Sequence, residues 1–219
     1  MKSIIAGATG LIGKALLNLL IHSDSHEQIE IWVRKPSAAI DHRFTESVLA
    51  FEELPDIPEV AANHLYCTLG TTIRKAKTKE NFYRVDVTYV VSLAKLAERS
   101  GITCFLVISS IGANPASLNF YLRTKGEMEE AVTSCSIPSI YILRPSMLLG
   151  KRDEKRSGEN VGKILSKIAH PFMFGSLRKY RAIHAESVAR AMIRCARESK
   201  PGIHILESDD IHRLGNMIM

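Results

Sequence analysis

Tyr121 and Lys125 stand four residues apart in a stretch of helical periodicity. That spacing stacks both side chains on one helix face. An ammonium beside a phenol favours the phenolate, which makes such a tyrosine an acid/base usable near neutrality. Ser109 and Ser110 close the apolar run Phe105-Leu106-Val107-Ile108. A hydroxyl at the carboxyl end of a strand can hydrogen-bond a carbonyl oxygen as negative charge develops on it. Together these groups are equipped for proton transfer at a carbonyl or alcohol oxygen.

A second motif lies at the start of the chain, Gly7-Ala8-Thr9-Gly10-Leu11-Ile12-Gly13. It follows a short apolar run and opens a helical one, the context in which a glycine fingerprint carries meaning. Gly7 permits a tight turn, Gly10 leaves room for a pyrophosphate, and Gly13 lets the helix approach the strand. The free N–H groups of the first helical turn favour a phosphate there. The next strand ends at Val33 and is followed by Arg34 and Lys35. A fold that prefers NAD carries an acidic residue near that place to hold the ribose hydroxyls. Two cations suit the 2′-phosphate of NADP instead.

Such residues need a scaffold that brings distant segments together, and the chain alternates accordingly. Ser3–Ala6, Ile29–Val33, His64–Thr68, Cys104–Ile108 and Ser139–Leu143 read as strands. Ile12–Ile21, Thr78–Ser100 and Asn119–Thr133 read as helices. Thr78 is the expected N-cap of the second helix and Gly101 its stop. Phe82, Val85, Tyr89, Leu93 and Leu96 give that helix one apolar face. Alternation of this kind predicts an α/β fold, a Rossmann-type doubly wound parallel sheet covered on both sides. Beyond Gly150 the pattern loosens into a charged loop, Lys151–Gly158, and helical stretches at Asn160–Ala169 and Glu186–Arg197. The apolar run Ile203–Leu206 follows these. We therefore expect a single domain over 1–219, with 1–150 as the dinucleotide-binding core and 151–219 as a small C-terminal cap.

Composition agrees with this and removes other classes. The chain has 219 residues, 46% hydrophobic and 24% charged, which excludes disorder, collagen and a disulfide-stapled miniprotein. A chain of this length buries roughly 70–75% of its unfolded surface and needs no metal or disulfide to fold. A net charge of +6 fits an anionic small ligand. The four cysteines, at 67, 104, 135 and 195, form no zinc or redox spacing, so they are expected to fill cores in a reducing compartment. No apolar run has the ~18 residues of a membrane span. The glycines of the first turn interrupt any signal-peptide pattern. The location expected from these features is cytoplasmic.

The glycine turn, the Ser-Ser strand end and the Tyr121–Lys125 pair resemble the extended or atypical short-chain dehydrogenase/reductases. Cys67-Thr68-Leu69-Gly70-Thr71-Thr72, Val85-Asp86, Ser109-Ser110-Ile111-Gly112-Ala113, Lys125-Gly126-Glu127, Leu143-Arg144-Pro145 and Ile211-His212-Arg213-Leu214-Gly215 narrow the likeness. They resemble the Tat-interacting-protein branch and its bacterial NAD(P)-binding relatives. The resemblance implies that Gly7, Gly10 and Gly13 hold a dinucleotide pyrophosphate, with Thr9, Leu11 and Ile12 of the same turn among the contacts. It implies that Arg34, with Lys35 beside it, meets the adenosine phosphate. Leu69, Gly70 and Thr71 would line the adenine and ribose. Tyr121 and Lys125 would act beside the nicotinamide, Lys125 also holding its ribose, and Pro145 and Ser146 would border the nicotinamide amide. Either Ser109 or Ser110 would be the catalytic hydroxyl, the family spacing favouring Ser109.

Other residues invite chemistry and receive none. His22 and His26 share a helical spacing but flank Ser23-Asp24-Ser25, which reads as a solvated helix end. His184 reads as a structural hydrogen-bonder ahead of a helix, and Cys67 as packing. The basic runs Arg74–Lys77, Lys151-Arg152, Lys155-Arg156 and Arg178–Arg181 lack the aromatic interleaving of a nucleic-acid surface. The function expected is an NADPH-dependent oxidoreductase on a small carbonyl or alcohol, with NADP(H) as cofactor ahead of NAD(H), no metal, no nucleic acid and no membrane. Two other functions compete. One is an NADPH-sensing binding protein that contacts a protein partner. The other is a nucleotide-sugar epimerase or dehydratase, for which the residues after Gly150 are few. A homodimer through either long helix stays open.

Overall fold

The computed structural model describes residues 1–23, 28–36, 42–150 and 180–217. The stretches 151–158 and 160–169, His26, and the basic pairs at 151–152, 155–156 and 178–179 lie outside these residues.

The chain builds β1 (Lys2–Ala6), β2 (Gln28–Val33), β3 (Thr45–Val48), β4 (His64–Cys67), β5 (Cys104–Ile108), β6 (Ser139–Arg144), β7 (Leu148–Leu149), β8 (Ile183–His184) and β9 (Gly202–Glu207). Its α-helices are α1 (Leu11–Ile21), α2 (Ile73–Ala76), α3 (Lys79–Tyr83), α4 (Tyr89–Arg99), α5 (Phe120–Thr133), α6 (Ala185–Glu198) and α7 (Ser208–Asn216). Seven strands form one sheet in the order β3-β2-β1-β4-β5-β6-β9, every pairing parallel. The order reverses between β1 and β4. That is the switch point at which a doubly wound sheet opens a crevice beyond its strand ends.

Near-continuous apolar strands are what burial on both faces requires. Ile5, Tyr66, Leu106 and Leu143 face α1 and α6, while Ile4, Leu65, Phe105, Val107 and Ile142 face α4 and α5. Each face has its own core. The segment read as a cap contributes to this body. β9 pairs with β6 across six registered residues, and α6 buries Val188, Ala189, Met192 and Ile193. α7 reaches α6 so closely that a β-carbon on Gly215 would stand 2.1 Å from the Ser187 carbonyl oxygen.

The helix expected over Thr78–Ser100 is interrupted. Thr78 does cap α3, its Oγ1 accepting the Asn81 N–H at 3.1 Å, and the chain leaves α4 through Gly101 at φ +65°. Between them Arg84–Thr88 makes a π-helical turn. The wider turn shifts the face, so that Asp86 and Val87 are buried and Val85 only half-buried. Such turns re-aim one side chain without ending the helix.

Candidate functional site

β1 delivers the glycine turn to the switch point. Gly7 takes φ +93°, and a β-carbon there would also meet the Thr68 carbonyl carbon at 2.8 Å, so the turn lies against the end of β4. Gly13 packs as tightly on the turn itself. Gly10 is the N-cap of α1, and no side chain caps that helix. A β-carbon on Gly10 would meet only the Gly7 oxygen at 3.3 Å and the Thr68 oxygen at 3.9 Å. Thr9 and Gly10 are exposed at the tip, Leu11 is half-buried and Ile12 buried. The first turn of α1 also carries no acidic residue. Its amino end thus presents backbone N–H groups and a positive dipole end to an open crevice, which fits an anion.

Leu69, Gly70 and Thr71 leave β4 beside this turn. Thr68 is fastened to β1, its N–H and hydroxyl both donating to the Ala6 carbonyl at 2.8 and 3.1 Å. Arg34 and Lys35 are exposed just past β2. Arg34 acts on Glu52, together with Arg84. Glu52 is held below the usual carboxylate range first by the hydrogen bond from the Tyr89 hydroxyl, then by its own N–H, with Arg84 and Arg34 adding to this. Arg84, which carried no role in the sequence reading, therefore acts on the same carboxylate as Arg34.

The chemistry end is built on α5. Asn119 caps it, its Oδ1 accepting the Leu122 N–H at 3.2 Å. Gly126 lets the loop after β5 lie directly on the helix, since a β-carbon there would stand 2.2 Å from the Pro115 nitrogen. Tyr121 is half-buried in the first turn, its ring tilted against Phe82 at 5.8 Å between centroids. Lys125, one turn on, is buried. Its Nζ stands 2.8 Å from Asp86 Oδ1 and donates to the Ile108 carbonyl at 3.4 Å. Burial pushes the ammonium down, but Asp86 facing it, with Tyr121 and Cys67 adding to this, holds it above its ordinary value. The sequence pairs Lys125 with Tyr121; the structure adds a carboxylate as its direct ion partner. The sequence reading carried Asp86 only within the Val85-Asp86 motif, with no role of its own.

Ser109 and Ser110 differ in state. Ser109 is still tied to the sheet, its N–H donating to the Leu143 carbonyl at 2.7 Å, and its buried hydroxyl has no hydrogen-bond partner. An orphaned buried hydroxyl is costly unless something else takes it up. Ser110 is half-buried, its hydroxyl making one long bond of 3.4 Å to the Ile111 carbonyl. Pro145 follows β6 and accepts the Ile111 N–H at 3.2 Å. Ser146 is engaged internally. Its hydroxyl donates to the Arg181 carbonyl and accepts from Ser208 Oγ at 3.1 Å. Beneath them Arg144 ties α5 to two strands, reaching Glu129 and Glu207 at 3.0 Å each.

The residues set aside behave differently from one another. Cys67 is buried and its thiol is pushed up to about 12 by burial, so it packs. His22 bonds the Asn18 carbonyl at 2.8 Å and Arg43 at 3.1 Å. His184 is exposed at the N-cap of α6 without a side-chain cap bond, which corrects its expected role as a structural hydrogen-bonder. Among the described residues no helix is long and apolar enough to cross a membrane.

Glycine turn, strand-end serines and Tyr–Lys helix thus meet at the carboxyl edge of one parallel sheet, which defines a Rossmann-type α/β protein. The chain belongs to the NAD dependent epimerase/dehydratase family, whose family model matches residues 3–206. Within it the chain sides with the Tat-interacting-protein-like branch. It is 32% identical to Protein HTATIP2 of Rattus norvegicus over 225 residues, covering 98% of this chain and 89% of that one. It is also 32% identical to Protein FMP52, mitochondrial, of Debaryomyces hansenii over 206 residues, covering 90% and 88%. Among solved structures it resembles MoeE5 in complex with UDP-glucose and NAD, at TM-score 0.70 and 15% identity, covering 96% of this chain and 79% of that one. Human SDR39U1 with NADPH gives 0.61 and 15%, covering 94% and 74%.

These relatives correct the expected location. The proteins similar to this chain in Debaryomyces hansenii, Scheffersomyces stipitis and Candida albicans are mitochondrial by name, not cytoplasmic. The cytoplasmic expectation rested on scattered thiols and on the interrupted signal-peptide pattern, and neither feature distinguishes one reducing compartment from another.

Proposed function

We propose that the chain is an NADP(H)-dependent oxidoreductase that acts on a carbonyl or alcohol substrate. The observation that carries this reading is the convergence, at one sheet edge, of an uncapped helix start and the Tyr121–Lys125 pair on α5.

Gly7, Thr9, Gly10, Leu11, Ile12 and Gly13 would hold the pyrophosphate, through backbone N–H groups and the dipole of α1. Arg34, with Lys35, would take the adenosine phosphate. Leu69, Gly70 and Thr71 would border the adenine and its ribose. Lys125 would hold the nicotinamide ribose, and Pro145 and Ser146 would border the amide. When bound, the nicotinamide supplies or accepts the hydride. Tyr121 gives the proton to the carbonyl oxygen on reduction and takes it back on oxidation. Lys125 stabilises the phenolate that remains. The Ser109 or Ser110 hydroxyl donates to the same oxygen as charge builds there. Ser109 is the better supplied, because its buried hydroxyl has no hydrogen-bond partner of its own.

Bound NAD in MoeE5 and NADPH in SDR39U1 are each compatible with this fold. The choice of NADP(H) for this chain rests on Arg34 and Lys35 in place of an acidic residue. The residues after Gly150 are proposed to shape the substrate pocket of the same single domain. The test is a panel of aldehydes and ketones followed by loss of the reduced cofactor's absorbance. Turnover that vanishes in Tyr121→Phe supports the reading; NADPH binding without turnover of any carbonyl favours the sensor.

A further inference from the structure

The β2 end does carry a carboxylate, but one that arrives from the neighbouring strand. β3 runs beside β2 with Val48 opposite Val33, and the Leu49 N–H donates to the Val33 carbonyl at 2.9 Å. The two strands thus leave the sheet together, one into Arg34 and the other into the segment that ends in Glu52. Glu52 lies in the first turn of a six-residue 3₁₀ helix, Phe51–Asp56. The Tyr89 hydroxyl donates to its Oε1, and the Phe51 ring meets the Tyr89 ring edge-on at 5.8 Å between centroids. These contacts fasten the 3₁₀ helix to the start of α4. The wide turn ahead of α4 places Arg84 one turn before Tyr89, whose N–H donates to the Arg84 carbonyl.

Tyr89 needs only an acceptor from Glu52, and an uncharged glutamine would supply one. The charge has no task in that contact, and what it meets is cationic. Arg84 and Arg34 both act on the carboxylate, after the Tyr89 hydroxyl and the residue's own N–H, to keep it ionised. Glu52, Arg34 and Arg84 are all exposed, while Tyr89 is buried behind them. Guanidiniums that serve a carboxylate suit a phosphate equally well.

We infer that Glu52 is a specificity-determining residue, whose carboxylate competes with the 2′-phosphate of the cofactor for the guanidiniums of Arg34 and Arg84. The preference it moderates is that of the NADP(H) reading above, on which the inference rests. A dinucleotide without the 2′-phosphate leaves these side chains as they are. A dinucleotide that carries it must displace Glu52 from the cations or bind beside a like charge.

Glu52→Gln keeps an oxygen for the Tyr89 hydroxyl and removes the charge. Calorimetry at low salt should show NADPH bound about fivefold or more tightly than by the parent, with NADH within about twofold. The gain should shrink at ~0.5 M salt, where exposed charges are screened, which a purely structural effect would not do. Arg84→Gln should weaken NADPH about fivefold and leave NADH within about twofold. NADPH unchanged or weakened by Glu52→Gln, or unchanged by Arg84→Gln, overturns the inference. A loss of NADH alone in Glu52→Gln also overturns it, since the carboxylate would then be holding ribose hydroxyls. Equal gains for both dinucleotides overturn it too, because the 2′-phosphate would not be what Glu52 opposes. Without any nucleotide, carbon-13 NMR of the Glu52 carboxyl against pH should show a midpoint at least about half a unit higher in the Arg34→Ala/Arg84→Gln double variant. An unmoved midpoint overturns the pairing of Glu52 with the two cations. If Glu52→Gln does not fold, Arg84→Gln and the carboxyl titration still decide. If the parent binds neither dinucleotide, the oxidoreductase reading fails, while the carboxyl titration still supports or overturns the pairing.

Discussion

The Gly7 carbonyl oxygen occupies the place where a side chain on Gly13 would begin: a β-carbon on Gly13 would lie 2.2 Å from it and 2.8 Å from Ala8 Cα. Both neighbours are backbone and cannot step aside. Gly10 meets nothing closer than 3.3 Å. The two glycines therefore answer differently to one added methyl. Gly13→Ala is expected to cost about 1–3 kcal/mol or more of folding stability in urea titrations, because the first helix must be pushed off the turn. Gly10→Ala is expected to keep stability within about 1 kcal/mol and to weaken NADPH about tenfold or more, because the methyl enters the space proposed for the pyrophosphate. Equal stability losses in the two variants would contradict this division of labour.

Tyr121→Phe removes one oxygen and leaves the ring against Phe82. Turnover of any carbonyl substrate found for the parent is expected to fall by about 10²–10⁴-fold, the usual worth of a positioned acid/base. NADPH affinity by calorimetry is expected to stay within about twofold. Retained turnover would remove Tyr121 from the mechanism.

Burial pushes the thiols of Cys67, Cys104 and Cys195 up to about 12 from 9.0. A group whose pKa is raised by folding contributes stability that is complete below its unfolded value and disappears as pH climbs through the folded one. The unfolded chain releases these protons first, so stability should decline from about pH 9 toward pH 12, each thiol adding at most about 1.4 kcal/mol per pH unit. Urea unfolding at successive pH values should show the decline, and Cys67→Ala should make it shallower. A profile flat from pH 8 to about 11 would contradict the burial of these thiols.

Arg144 joins a buried and a half-buried carboxylate, Glu129 at 7% and Glu207 at 34% side-chain exposure. Arg144→Ala strands the Glu129 charge and is expected to destabilise by about 3–5 kcal/mol. Glu207→Ala removes only a partly solvated contact and is expected to cost about 1 kcal/mol or less. Equal effects would mean that Glu129 is not held by Arg144.

Much of this architecture is legible in the residues. Five strand runs, the cap at Thr78 and the stop at Gly101 sit where side-chain chemistry places them, because local propensity and burial pattern agree there. β3 was not legible: Thr45-Glu46-Ser47-Val48 is a half-exposed edge strand without an apolar face. The π turn at Arg84–Thr88 was hidden because a periodicity of three and four residues absorbs one inserted residue without visible trace. The pairing of β9 with β6 is a contact between segments about 60 residues apart, which no local pattern encodes. At the site the residue types could be read, but the partnership of Asp86 with Lys125 could not, since each belongs to a different helix and only the fold brings them together.

The central claim is that the amino end of α1 and the cations past β2 form a seat for a phosphorylated dinucleotide. Calorimetric titration of the parent and of Arg34→Ala with NADPH and with NADH tests it most directly. NADPH should bind the parent more tightly, and Arg34→Ala should weaken NADPH about tenfold while leaving NADH within about twofold. Tighter binding of NADH by the parent, or no heat with either dinucleotide, would contradict the account.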